Sequence, residues 1–224
     1  MKKTSGFTLI ELAIVLVIIG LLLGGVLKGQ ELINSAKAKS IANDLKNTQI
    51  LLYGYQDKFR ALPGDDANVA AHVTNGVLAT TGGTVGNGRI EGAWNSEVTT
   101  DESYLFWQHV RLAGLATGLT TVGDAAFIPR HSDGGRIGLQ SLNGFTAMPD
   151  AVATGNGANP MVGTFVVCAS GVTGRIAKQI DVQLDDGTTD SGNIRVRSDA
   201  TGAASSLANT AVTDGGTFTL CMSF

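Results

Sequence analysis

The sequence predicts an α+β protein: one long N-terminal helix packed on a C-terminal antiparallel sheet. Two observations carry this. No proline occurs before Pro63, and from Phe7 to about Arg60 the chain changes midway from apolar all round to apolar along one stripe. Toward the other end, Thr164-Phe165-Val166-Val167-Cys168-Ala169-Ser170 and Thr217-Phe218-Thr219-Leu220-Cys221-Met222-Ser223 repeat the pattern Thr-Phe-x-x-Cys-x-Ser. Both alternate as strands do. With 30 glycines and only 4 prolines in 224 residues, the intervening connections should be turn-rich and reliant on positive φ.

The helix begins in the stretch Phe7 to Leu27, FTLIELAIVLVIIGLLLGGVL, behind the short leader MKKTSG. Roughly 20 apolar residues are what a helix needs to cross a bilayer. The only charge in the run is Glu11. An acid at that depth costs a few kcal/mol in lipid, so a cation from a neighbouring subunit is expected to offset it. A secretory signal would share the basic pair Lys2-Lys3. It would also have a shorter apolar core and a small-residue cleavage site after that core, whereas Ser5-Gly6 lies before the run.

Gly6 followed by Phe7-Thr8-Leu9-Ile10-Glu11-Leu12 closely resembles the processing signature of type IV pilins and of the related pseudopilins of type II secretion. The resemblance implies cleavage after Gly6 by a prepilin peptidase and N-methylation of the new terminus at Phe7. It further implies that Glu11 pairs with the terminal amine of an adjacent subunit during assembly. An ordinary signal anchor with an incidental glutamate is the alternative.

In the second half of the helix Ile41, Leu45, Thr48, Leu52, Tyr55 and Phe59 fall at spacings of 4, 3, 4, 3 and 4. They form one stripe, with Lys37, Lys39, Asn43, Asp44, Lys46, Asn47 and Gln49 left for water. The expected organisation is a leader at 1–6, an assembly helix at 7–60 and a head at 61–224, the lollipop of the pilin family. Gly20, Gly24, Gly25 and Gly29 each weaken the helix by about 0.5–1 kcal/mol relative to alanine. Both local melting at Gly24-Gly25 and close packing against other helices are consistent with that composition. Many pilins have a proline near this depth, where this chain has Lys28 instead.

Leu62 precedes Pro63 and is steered out of the helical region, so the helix should stop near Arg60. Gly64-Asp65-Asp66 reads as a turn whose acids either cap the short turn after them or hold Ca²⁺. Ala67 to Gly88 is aperiodic and reads as loop. Asp101 to Leu115 suits a helix with one apolar face, capped by Asp101 or Ser103 and ended by Gly114 or Gly118. Within it Glu102 to Gly114, and also Leu62–Ala67, are similar to segments of a set of large prepilin-like proteins. Trp94, Phe106 and Trp107 offer either packing beneath the sheet or a stacking platform for sugars. His72, His109 and His131 lie in separate segments without metal-ligand spacing, and no nucleophile motif accompanies them. They are expected on the surface or on a helix face, and no catalytic residue is assigned.

In the paired strands, Phe165, Val167 and Ala169 share one face, as do Phe218, Leu220, Met222 and Phe224. These faces should meet the helix stripe. Cys168 and Cys221 then lie on the opposite face, where neighbouring strands would bring them within reach of one another. Two cysteines in an exported chain commonly pair, free buried thiols being the alternative. In pilins a C-terminal disulfide brackets the region that shapes the surface. The resemblance implies the same bond here, closing residues 168–221 and contributing about 4 kcal/mol in the chain-entropy picture.

Between the cysteines, Gly174 to Leu184 fits a short helix, with Ile176, Ile180 and Leu184 four apart, but also a strand. Asp185, Asp186, Asp190 and Asn193 come next, in a glycine-containing loop. They are candidate Ca²⁺ ligands of the sort some major pseudopilins carry, or else solvated Asx-turns; the EF-hand spacing is absent. Ile194 and Val196, flanked by Arg195 and Arg197, give an edge strand, and Ser198 to Gly216 a small-residue loop.

A net charge of −3 and a pI near 5.5 argue against a general nucleic-acid surface. The expected function is a filament subunit of the type IV pilus kind, anchored in the inner membrane and later part of a periplasmic or extracellular polymer. Partners implied by the resemblance are other pilin or pseudopilin subunits, the prepilin peptidase, an inner-membrane platform protein and an assembly ATPase. No cofactor is needed unless the aspartate-rich loop holds Ca²⁺. The alternatives are a pseudopilin of type II secretion, a minor pilin, and a signal-anchored periplasmic domain that never polymerises.

Overall fold

A computed structural model describes residues 9–145, 148, 161–199 and 206–224. Helix α1 runs without interruption from Leu9 to Phe59. It ends where Arg60 turns into the left-handed region at φ 57°, its N–H still donating to the Gln56 carbonyl at 2.8 Å. A single turn, α2 (Val69–His72), is succeeded by α3 (Glu102–Leu112). Next come β1 (Ile137–Ser141), β2 (Phe165–Thr173), α4 (Gly174–Leu184), β3 (Ile194–Ser198) and β4 (Thr217–Ser223). The strands form one antiparallel sheet in the order β1-β2-β4-β3. The fold is α+β, a long helix with a C-terminal antiparallel sheet.

The chain divides into two units, Met1–Ala36 and Lys37–Phe224. In the first, α1 is apolar and exposed: Leu9, Leu16, Leu21 and Leu27 are each two-thirds or more open. This is the one segment among the described residues long and apolar enough to cross a membrane. The helix continues through Gly20, Gly24, Gly25 and Gly29. A Cβ at any of the four would meet nothing within 4 Å, so packing inside this chain does not require them.

In the second unit the stripe is buried as its spacing predicts. Ile41, Leu45, Leu52 and Tyr55 have no exposed surface, Thr48 is buried, and Phe59 is half-buried. They share a core with Phe165, Val167 and Ala169 of β2 and Phe218, Leu220 and Met222 of β4. Alternation puts the other side chains of these strands into a second core on the opposite sheet face. There Trp94, Leu142, Phe145, Met148 and Met161 surround Val166 and the two cysteines.

Two readings of the sequence, of α3 and of Arg195, are corrected by this architecture, and one that was open, of 174–184, is resolved. Helix α3 is not amphipathic: Glu102 through Arg111 are all buried. Long loops cover its outer side and bind several of its polar groups. Gln108 accepts from the Val77 N–H and donates to the Thr120 carbonyl, while Arg111 donates to the carbonyls of Leu119 and Phe127. The segment 174–184 is helix rather than strand. Arg195, expected to blunt an edge, is buried and folds back onto the carbonyls of Gly192 and Asp190, although β3 is an edge strand. Strand β1, unread in the sequence, runs along the other edge. Its Gly138 lies so close to the Trp94 carbonyl that a Cβ would collide with it.

Candidate functional site

At the N-terminal end, Glu11 sits in the first turn of α1, where an acid complements the helix dipole. It is exposed among exposed apolar neighbours. No other charge occurs from Leu9 to Leu27, and the next, Lys28, pairs with Glu31 at 2.7 Å. Gly6 and Phe7 lie outside the described residues.

At the other end, Cys168 and Cys221 are directly opposed in the β2–β4 register and joined by a disulfide. The bond lies on the face away from α1, inside the second core. It joins residues 53 apart in sequence and encloses α4 and β3.

Asp65 and Asp66 are both buried, and each carboxylate is surrounded by donors. Asp65 accepts the N–H groups of Gly86, Asn87 and Gly88. Burial pushes its pKa up, and those amides offset part of the rise. Asp66 accepts the Tyr55 hydroxyl at 2.7 Å, His72 Nδ1 at 2.6 Å and the Asn68 N–H at 2.9 Å. Burial alone would raise it, yet the His72 and Tyr55 bonds hold it below the usual carboxylate range. The tyrosine is raised in turn, by burial first and then by the acid it faces. A cleft of about 720 Å³ opens beside this turn, bordered by Tyr53, Phe59 and Phe165. The two acids therefore fasten the turn after α1 to that helix, to both ends of α2 and to the loop at 86–88.

The histidines are structural in the same sense, and His109 and His131 are not on the surface. His109 is fully buried, accepts the Gly64 N–H at Nδ1 and contacts the Val77 carbonyl through Nε2. Burial lowers its pKa, favouring the neutral ring. His131, also buried, bridges the Ser170 carbonyl and the Asp133 N–H. Trp94, Phe106 and Trp107 are buried, so none offers an open stacking face.

Two other buried acids lack such support. Glu102 accepts the Glu91 N–H on Oε2, and its Oε1 has no hydrogen-bond partner. Burial, with the charges of Asp65, Glu91 and Asp101 nearby, pushes it up to about 7. Asp181, on the inward stripe of α4, is fully buried with neither oxygen hydrogen-bonded. Burial first, and then the charges of Asp185, Asp186 and Asp190, push it up to about 7.

Around Asp181 the geometry regroups the aspartate-rich loop. Carboxylate oxygens of Asp181, Asp185 and Asp186 lie within 4.8 Å of one another. Asp185 accepts the Ile194 N–H at 2.6 Å; Asp186 accepts the Thr188 N–H and the Ser191 hydroxyl. Asp190 and Asn193 are outside this set and contribute main-chain carbonyls to Arg195 and Ser223. Asp181 was missed in the sequence because it precedes the loop. The available signal was its spacing, four residues before Asp185 and hence on the same helix face.

A family model described as the prokaryotic N-terminal methylation motif matches residues 1–27, the signature shared by type IV pilins and pseudopilins. Comparison with curated proteins and with solved structures gives no match.

Proposed function

We propose that this chain is a structural subunit of a type IV pilus-like filament, built from the inner membrane after prepilin peptidase removes residues 1–6 and the new terminus at Phe7 is methylated. The observation that supports it is the continuity of the methylation motif over residues 1–27 with a helix whose apolar side chains face outward all round. That surface has to be covered by lipid before assembly and by like helices of other copies afterwards. Cleavage frees an amine at Phe7. Glu11 of a neighbouring copy neutralises it in apolar surroundings, where a charge without a counter-charge is costly. The head, with its buried disulfide, stays outside this apolar packing. A platform protein in the inner membrane and an assembly ATPase would drive the process.

The test is a deletion strain complemented with the wild-type chain or with Glu11→Ala. The expected product lacks six residues and carries a methylated phenylalanine by mass spectrometry. Sheared surface fibres fall by about tenfold or more in the variant, as losing a few kcal/mol at each contact requires. An intact Met1 in the exported product, or fibres in normal number from Glu11→Ala, would overturn the reading. Normal processing with no surface fibre in the wild type would point to the secretion pseudopilin.

A further inference from the structure

We propose that the cleft between the second half of α1, the end of α3 and the start of β1 binds a small organic acid, its carboxylate paired with Arg111 and its apolar body on the cleft walls. The inference starts from Arg111, which is 9% exposed and carries a permanent positive charge. A buried charge in a folded protein is paired, because its desolvation is otherwise uncompensated. Nη1 of Arg111 donates to the carbonyls of Leu119 and Phe127, and the guanidinium lies over the rings of Trp107 and Phe127. These contacts supply dipoles and ring faces but no counter-charge. Burial disfavours the cation, and the group that favours it electrostatically is the Tyr104 hydroxyl, not an acid.

The nitrogens left over are the ones a carboxylate needs. Nε is buried without an acceptor, and Nη2 donates to none of the described residues. Together they make the edge of the fork that takes a carboxylate with two parallel bonds. Space adjoins that edge because residue 118 is glycine: a Cβ there would stand 2.6 Å from Nε and 3.2 Å from Nη2. Arg111 also lines a cleft of about 480 Å³, within the range of small-molecule sites. The walls of the cleft include Ile50, Leu51, Trp107, Leu115, Pro129 and Ile137. Two cations, Arg111 and Arg130, line it against one acid, Asp44, a surplus of one positive charge. That balance and those walls fit a monoanion with an apolar body. A phosphate dianion would bring one negative charge too many beside Asp44, and an acid without an apolar portion would leave the walls wet.

The inference goes beyond the filament reading and is tested apart from it, on purified protein whether or not the chain polymerises. Full-length protein in non-ionic detergent is titrated by calorimetry with 3-phenylpropionate and with N-acetylleucine, against protein-free micelles. The two probes present the same carboxylate as a free organic acid and as a peptide terminus. A Kd at or below about 1 mM is expected for at least one of them, with its amide and inorganic phosphate at least about tenfold weaker. Trp107 borders the cleft and Trp94 lies in the second core, so binding should also change tryptophan emission, through Trp107. Arg111→Gln should weaken binding by about tenfold or more. If that variant does not fold, Ile50→Glu, on an exposed part of the wall, should weaken binding by about threefold or more through like-charge repulsion. A preference for one probe over the other assigns the source of the carboxylate and supports the site. No binding of either acid, equal binding of the amides, tighter binding of phosphate, or wild-type affinity in folded Arg111→Gln would overturn it.

Discussion

The dipeptide Asp-Asp occurs twice beside a glycine, as Gly64-Asp65-Asp66 and as Asp185-Asp186-Gly187, and the two copies meet opposite fates. The first is buried and saturated with donors from Tyr55, His72 and four main-chain N–H groups. The second lies half open, and the acid buried beside it, Asp181, receives none. Glu102 falls between them, with one oxygen met and one not. Burying an acid costs desolvation in every case, and what differs is how much of that cost is offset. That share depends on whether loops distant in sequence bring N–H and O–H groups to it.

That contrast is broken or sharpened by three substitutions, each read by unfolding of the full-length chain in detergent. Asp66→Ala should have the largest effect, a loss of about 3–5 kcal/mol, because it strands a buried tyrosine hydroxyl, a histidine and an amide. Since the folded-state pKa of Asp66 lies below 3.8, its contribution is present above that pH and is lost as pH falls further. The deficit of the variant should shrink on acidification through that range; a deficit constant with pH would mean the carboxylate charge is irrelevant.

Glu102→Gln should act in the opposite sense. An acid raised from 4.5 to about 7 binds more protons folded than unfolded, so the wild type loses stability as pH rises across that interval. The variant escapes the loss. It should gain about 2–3 kcal/mol relative to wild type between the acidic end of the window and its upper end. Parallel stability curves for the two proteins would refute this. Ser191→Ala, which removes an exposed hydroxyl from Asp186, should change stability by less than about 0.5 kcal/mol. Were it as damaging as Asp66→Ala, the distinction between the two aspartate pairs would collapse.

Much of this fold was legible because its signals are local. The 4-3-4-3-4 spacing from Ile41 to Phe59 fixed the buried side of α1, and the Thr-Phe-x-x-Cys-x-Ser echo fixed the faces of β2 and β4. The N-terminal motif was legible for the same reason, as a contiguous string at residues 1–27. The features that stayed hidden depend on chain segments far apart. Helix α3 carries Glu102, Gln108, His109 and Arg111, polar residues whose burial depends on the loops at 64, 77, 91 and 119–127 that bind them. Strand β1 has only five residues and a glycine at its second position, and its place depends on the Trp94 carbonyl above that glycine. Asp181 looked like an ordinary helix residue because the acids beside it come from the next turn of the chain.

The order β1-β2-β4-β3 has a consequence for how the protein is made. Among the described residues strand β3 has β4 as its one sheet partner, and β4 also pairs with β2, so residues 217–223 join two strands that do not pair with each other. A polypeptide threaded across a membrane from its amino end delivers β2 and β3 well before the piece that unites them. Until then one cysteine waits without its mate and an apolar strand edge stays bare, a state that invites chaperone protection and mispairing during export.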